Sequence, residues 1–393
     1  MKHAYRRLRE PLIECFMKKL TAFMAAALYL VNIAAHAQTP GDAVKDEQKP
    51  GGAISGNVSP ASAEAAKTQL EKGKAFFERD DYDNAIAALS ESIKLDPTLA
   101  EAFAFRARSL SAKGDYGLSL ADANRATQLN PQLALAYYVR GNVYRQIGND
   151  DRAISEYDES IKRDPNHSMA YNNRGATYKN KGDWHRAFAD FNEAIKRDPE
   201  NANAFQNRGL YYNVIEGDHD RAIADYSEAI RLNPKNVSVF YNRGNVYARK
   251  GDYDRAIADY SEAIRLNPNY VSAYTNRSIA YIEKGDYDRA ISDCNAAIKL
   301  DPNHEYAYNN RGNAYSGKGD YDRAIADYDK AISLDPYDAN AYFNRGNQYY
   351  KKGDYDRAVA DYEIAVKLNP GEARFKKPLQ NALEKRDGKP AEK

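Results

Sequence analysis

An all-α solenoid of nine helix-turn-helix repeats, closed by a C-terminal capping helix, follows from three features of this sequence. Prolines stand at 97, 131, 165, 199, 234, 268, 302, 336 and 370, spaced 34 residues apart at every step except Pro199 to Pro234, which takes 35. Each interval holds two stretches with aromatic and small residues at i, i+4 and i+7, the spacing of one helical face. The eighth position of every unit is small: Gly73, Ala107, Gly141, Gly175, Gly209, Gly244, Ser278, Gly312 and Gly346. A period of this length marks units that cannot bury their own apolar faces and are completed by stacking. Nine of them fill residues 66–372, which excludes most enzyme folds and directs attention to the inner surface of the stack.

Residues 1–37 read as a secretory signal. Lys18 and Lys19 precede an apolar run from Leu20 to Ala34, and Ala35 and Ala37 supply small residues for cleavage before Gln38. The run is shorter than the roughly 20 residues a bilayer span needs, although an uncleaved anchor is the alternative reading. The expected location is therefore outside the cytoplasm, periplasmic or secreted from a bacterium. Removing the signal takes six of the 57 basic and two of the 56 acidic groups and leaves 51 against 54, a net charge near −3. Nucleic acid and anionic lipid are not expected partners, because both need clustered excess Lys and Arg. Cys294 is then the only cysteine, which rules out an internal disulfide. Residues 38–59, rich in Gly, Pro, Ala, Ser and charge, read as a flexible leader, and the solenoid as 60–372.

Residues 305–338 serve as the reference unit. Tyr308, Gly312 and Tyr315 predict helix A, and Ala324, Tyr328 and Ala331 predict helix B. Gly319 supplies the left-handed residue that ends helix A, Asp320 and Asp322 suit the positive start of helix B, and Asp335-Pro336 stops it. Glycine inside a helix costs about 1 kcal/mol against alanine, so its recurrence at position 8 implies close approach of helix B.

Small residues at positions 8, 20 and 27, aromatics at 4, 11, 17 and 24, and proline at 32 resemble the tetratricopeptide repeat, in Tyr308, Gly312, Tyr315, Tyr321, Ala324, Tyr328, Ala331 and Pro336. The resemblance implies a right-handed superhelix of antiparallel helix pairs whose A helices line a concave groove. Unit two departs from it at Leu110, Ser119 and Ala123, and unit five carries one extra residue near Val214 to Glu216, which predicts a local bulge. Beyond the last unit, Phe375, Leu379 and Leu383 recur every four residues and predict a capping helix over 373–386, starting near Pro378; residues 387–393 read as a disordered tail.

Position 6 of helix A is asparagine in six consecutive units: Asn173, Asn207, Asn242, Asn276, Asn310 and Asn344; Asn245, Asn313 and Asn347 lie one turn on. An asparagine amide offers a donor and an acceptor side and pairs with peptide backbone whatever side chains it carries. With inner helices about 8–10 Å apart, six rungs span roughly 40–50 Å, enough for about a dozen extended residues. The row is similar to the asparagine ladder in the superhelix of O-GlcNAc transferase, which holds extended polypeptide; the bland alternative is that asparagine is simply common there in such repeats. In the first three units Glu71, Phe105 and Val139 break the row, and Phe105, Leu135, Tyr138 and Val139 form either an apolar anchor pocket or local core. Position 7 is arginine in eight units and position 23 of the same units is acidic, while unit one breaks both with Lys72 and Ala88. That joint loss points to an ion pair bridging helices A and B, with a ligand-binding arginine stripe as the other reading.

Signals for catalysis are weak. Gly312, Gly317 and Lys318 imitate a phosphate loop, but Gly319 occupies the place of its Ser or Thr and no strand precedes it. His304-Glu305 lacks a second histidine for zinc, and His167, His185 and His219 fall in turns of separate units. The expectation is a non-enzymatic scaffold without a cofactor, binding extended segments of other proteins, with Tyr138, Asn172, Tyr241, Thr275, Phe343 and Tyr350 tuning the choice. Two alternatives stand beside it: an architectural part of a cell-envelope assembly that uses its outer faces, and an accessory subunit of a glycosyltransferase.

Overall fold

The computed structural model describes residues 58–388. The signal, the leader up to residue 57 and residues 389–393 of the tail lie outside the described residues. Within them the chain runs through helix pairs α1 (Pro60–Phe77) and α2 (Tyr82–Leu95), α3 (Ala100–Lys113) and α4 (Tyr116–Leu129), α5 (Ala134–Gln146) and α6 (Asp150–Arg163). Next come α7 (Ser168–Asn180) and α8 (Trp184–Arg197), α9 (Ala202–Tyr211) and α10 (His219–Leu232), α11 (Val237–Arg249) and α12 (Tyr253–Leu266). The last pairs are α13 (Val271–Glu283) and α14 (Tyr287–Leu300), α15 (Glu305–Gly317) and α16 (Tyr321–Leu334), α17 (Ala339–Lys351) and α18 (Tyr355–Leu368). A short 3-10 turn, Ala373–Phe375, leads into α19 (Lys376–Arg386).

Local chemistry sets these boundaries. From unit two on, each A helix is followed by a glycine with φ between 66° and 87°, as at Gly319, where a side chain would be strained. Asp320 then accepts from the Arg323 backbone N–H and caps α16, as the matching Asp or Asn does in seven other units. Asp335, extended at φ −129° ahead of Pro336, ends the helix.

Each helix packs on the next in sequence, and A helices of neighbouring units also touch one another, whereas neighbouring B helices make no contact of like extent. The A layer is thus the shorter, inner side of this all-α solenoid. Alanines at positions 20 and 27, such as Ala324 and Ala331, are buried, and the aromatic at position 24 fills the space between helices. A Cβ on Gly312 would sit 2.7 Å from the Tyr328 ring, so position 8 is small because position 24 is large. Units two and seven invert the arrangement: Ala107 faces Ala123, and Ser278 faces Cys294.

The extra residue of unit five is absorbed as a π-helical turn, Tyr212–Glu216, before Gly217 takes the left-handed conformation. This is the bulge expected from the 35-residue interval. It leaves Val214 and Ile215 exposed, and the contact between A helices is weakest here, between α9 and α11. At the C-terminal end Phe375 is fully buried against Phe343, Ala339 and Ala365, while Leu379, Ala382 and Leu383 cover Ala358, Val359 and Tyr362. α19 thus closes the last apolar face, beginning two residues before Pro378.

Candidate functional site

On each A helix, positions 2, 5, 6, 9 and 12 share one face. The structure joins the position-6 amides to one another's neighbours across unit boundaries. Asn173 donates to the Tyr138 hydroxyl (3.1 Å) and Asn142 Oδ1 (2.8 Å). Asn276 donates to the Tyr241 hydroxyl (3.0 Å) and Asn245 Oδ1 (2.8 Å). Asn344 donates to Asn309 Oδ1 and Asn313 Oδ1, both at 3.1 Å. In these three rungs both amide N–H groups are committed to the preceding unit. The Oδ1 of Asn276 and of Asn344 accepts nothing among the described residues.

The remaining rungs differ because the preceding unit differs. Asn207 reaches only Asn172 Oδ1 (3.0 Å) and accepts weakly from Lys179 Nζ (3.4 Å), since Ala176 stands at position 9 before it. Asn242 follows Leu210, and its side chain makes no hydrogen bond among the described residues. Asn310 follows Ile279 and Thr275; it is only 7% exposed, and its buried Nδ2 has no partner.

Position 9 has a second task. Tyr157, Tyr260, Tyr328 and Tyr362 donate their hydroxyls to Asn142, Asn245, Asn313 and Asn347 at 2.7–2.8 Å. Burial pushes these phenols well above the usual tyrosine range, so they remain donors. Where position 24 is Phe191 or Cys294, position 9 is Ala176 or Ile279 and no amide is needed. Unit five alone keeps the tyrosine without the asparagine: Tyr226 faces Leu210, and its buried hydroxyl has no partner. Tyr226→Phe is therefore expected to leave stability unchanged or slightly raised, while Tyr260→Phe costs about 0.5–1.5 kcal/mol. Urea unfolding of the two variants checks this; equal losses from both would refute the pairing.

All eight arginines at position 7 grip their position-23 carboxylates. Arg277, for example, places Nε and Nη2 on the two oxygens of Asp293 at 2.8 and 2.7 Å. Its Nη1 reaches back to Ser261 of the preceding B helix at 2.8 Å. The same third contact recurs in every one of these units, to Ser90, Asn124, Asp158, Asn192, Ser227, Asn295 and Asp329 in the others. Each arginine thus ties three helices, and none is left for a ligand. Unit one, which has no preceding helix among the described residues, has Lys72 there.

The four apolar candidates do not converge on one open pocket. Val139 (1% exposed) and Tyr138 (6%) belong to a core cluster with Tyr157 and Ala170, and Leu135 packs on its margin. Phe105 packs in a different cluster, with Leu70 and Leu89. His167 lies against Ser160 and the Tyr138 ring, His304 beside Thr275, and burial pushes the Cys294 thiol up to about 12. A cavity of about 380 Å³ opens along the ladder at units six and seven, lined by Tyr241, Asn245, Arg249, Tyr253, Asn276 and Ile279 among others. Asn245, Asn313 and Asn347 were read from the sequence as part of the amide row, and the signal missed there was the pairing, in which position-9 asparagines follow the tyrosines of position 24.

Family models described as "Tetratricopeptide repeat" match residues 66–99, 168–201, 241–305, 294–326 and 339–372. One described as "TPR repeat" matches 141–182, 213–251 and 312–353. Among solved structures, the APC/C hetero-tetramer Cut9–Hcn1 is 18% identical with a TM-score of 0.52, over 81% of this chain and 76% of that one. YrrB, described as a TPR protein with an unusual peptide-binding site, is 25% identical with a TM-score of 0.44, over 47% of this chain and 95% of its own. A tetratricopeptide repeat protein from Parabacteroides merdae is 22% identical with a TM-score of 0.48, over 64% of this chain and 99% of that one. No curated protein matches the chain.

Proposed function

The chain belongs to the tetratricopeptide repeat family, and from that premise we propose that it is an exported, non-enzymatic scaffold that holds extended segments of partner proteins along its inner face. The observation that carries the reading is the row of position-6 amides on successive A helices, four of which, Asn242, Asn276, Asn310 and Asn344, keep an uncommitted carbonyl oxygen among the described residues. With most N–H groups engaged between units, the row acts chiefly as a line of acceptors for backbone N–H groups of the bound strand. The hydrogen bonds that fix Asn276 and Asn344 keep these amides oriented before a partner arrives, which lowers the ordering cost of binding. Each contact nets only about 0.5–1.5 kcal/mol, so affinity is micromolar and reversible. Export rests on the apolar run Leu20 to Ala34 with Ala35 and Ala37 after it.

Substituting alanine at Asn242, Asn276 and Asn344 together is expected to weaken capture of extended peptides by roughly ten- to a thousand-fold while circular dichroism stays that of a helical protein. Unchanged affinity in that triple variant, with the fold retained, would remove the amide row from the function.

A second reading draws on the turns between helices A and B. Lysine–aspartate pairs join the turns of most neighbouring units, such as Lys318 to Asp288 at 2.5 Å. They are missing where Gly117 precedes Ile147 and where His185 precedes the π-helical turn, and there Leu118, Ile147, Val214 and Ile215 are exposed. Those apolar edges favour an architectural contact away from the groove.

A further inference from the structure

The A helices of units three to six, α5, α7, α9 and α11, contain no aspartate or glutamate, whereas the B helices behind them carry at least two each. Their position-7 arginines are neutralised by those B-helix carboxylates. Three further cations on the same inner layer are not. Arg145 lies beside the Tyr157 hydroxyl, half-buried, with its Nε unpartnered. Lys179, also half-buried, reaches only Asn207 Oδ1 at 3.4 Å. Arg249 donates to Asn213 Oδ1 at 3.3 Å and lines the ladder cavity. None of the three has a carboxylate within ion-pair distance among the described residues. Burial and the neighbouring Arg145 hold the Lys179 ammonium below the usual lysine range, which is what a missing counter-charge does.

We propose that these cations select the partner: the segment held along units three to six is acidic, and its carboxylates complete Arg145 and Lys179, with Arg249 taking a further one. The inference rests on the groove reading above and adds the chemistry of the ligand. A half-buried cation that is already partly desolvated gains more from an incoming carboxylate than an exposed one, because little of the dehydration cost remains to be met on binding. The chain as a whole is near neutral, so the preference comes from these local cations and not from the overall charge.

The test is fluorescence anisotropy on the full chain with two labelled peptides of about a dozen residues that differ only in carrying Glu or Gln at every third position. The Glu peptide is expected to bind roughly ten-fold more tightly, an advantage that shrinks with rising salt. Arg145→Gln with Lys179→Met is expected to abolish the advantage. Lys179→Arg, which keeps the charge, and Lys235→Gln, on an exposed turn, are expected to retain it. Equal binding of the two peptides, or an advantage that survives in a folded double variant, overturns the inference and leaves the amide row standing. Failure of both peptides to bind overturns the groove reading and this inference with it. A single-stranded oligonucleotide of equal length binding more tightly than the Glu peptide assigns the cations to a different ligand class and also overturns it.

Discussion

Arg277→Ala is expected to destabilise the array by about 3–5 kcal/mol, because it strands the buried Asp293 carboxylate and removes the bridge to Ser261 in one step. Replacing both partners, Arg277→Met with Asp293→Leu, is expected to come within about 1 kcal/mol of the parent protein. The contrast follows from burial: desolvation pushes the Asp293 carboxyl up even with the guanidinium beside it, so the intact pair gives little net stability. It is the broken pair that is costly. Denaturant midpoints for the parent, both single variants and the double variant close the cycle. A double-variant loss equal to the sum of the two single losses would show that Arg277 and Asp293 are not coupled.

Gly312→Leu is expected to cost about 3 kcal/mol, near the top of the range for overpacking, since even its Cβ would stand 2.7 Å from the Tyr328 ring. Units two and seven indicate the remedy. Their larger position-8 residues, Ala107 and Ser278, face the smaller Ala123 and Cys294. Gly312→Ser combined with Tyr328→Cys is accordingly expected to be more stable than the sum of the two single losses, by about 1 kcal/mol or more. Strict additivity in a thermal or urea series would end that explanation of the repeat's core.

Much of this was legible in the chain. The proline interval gave the units, its single longer step located the π-helical turn, and the joint loss of Arg and Asp in unit one revealed an ion pair without coordinates. The amide row was only half legible. That Asn173, Asn276 and Asn344 spend their N–H groups on the preceding unit depends on Asn142, Asn245 and Asn313, a dependence that appears only when position 9 is read against position 24. The apolar group at Phe105, Leu135, Tyr138 and Val139 could not be placed from composition, because pocket and core use the same side chains and differ only in what covers them. Arg145 and Lys179 gave no sign in the sequence, where they are two cations among 57; what distinguishes them is the lack of a carboxylate nearby.

The arginine bridges also give the array a polarity. Should unit one melt, Ser90 departs and Arg106, still anchored to Asp122 in a folded unit, is left with an idle Nη1. Should unit nine melt, Arg345 leaves with it, and the group it abandons is Asp329, a half-exposed side chain that water rehydrates readily. Erosion from the front therefore exacts a penalty at each step that erosion from the rear does not. The rear is where the chain has placed its apolar plug of Phe375, Leu379 and Leu383, a doorstop at the end that would otherwise fray first.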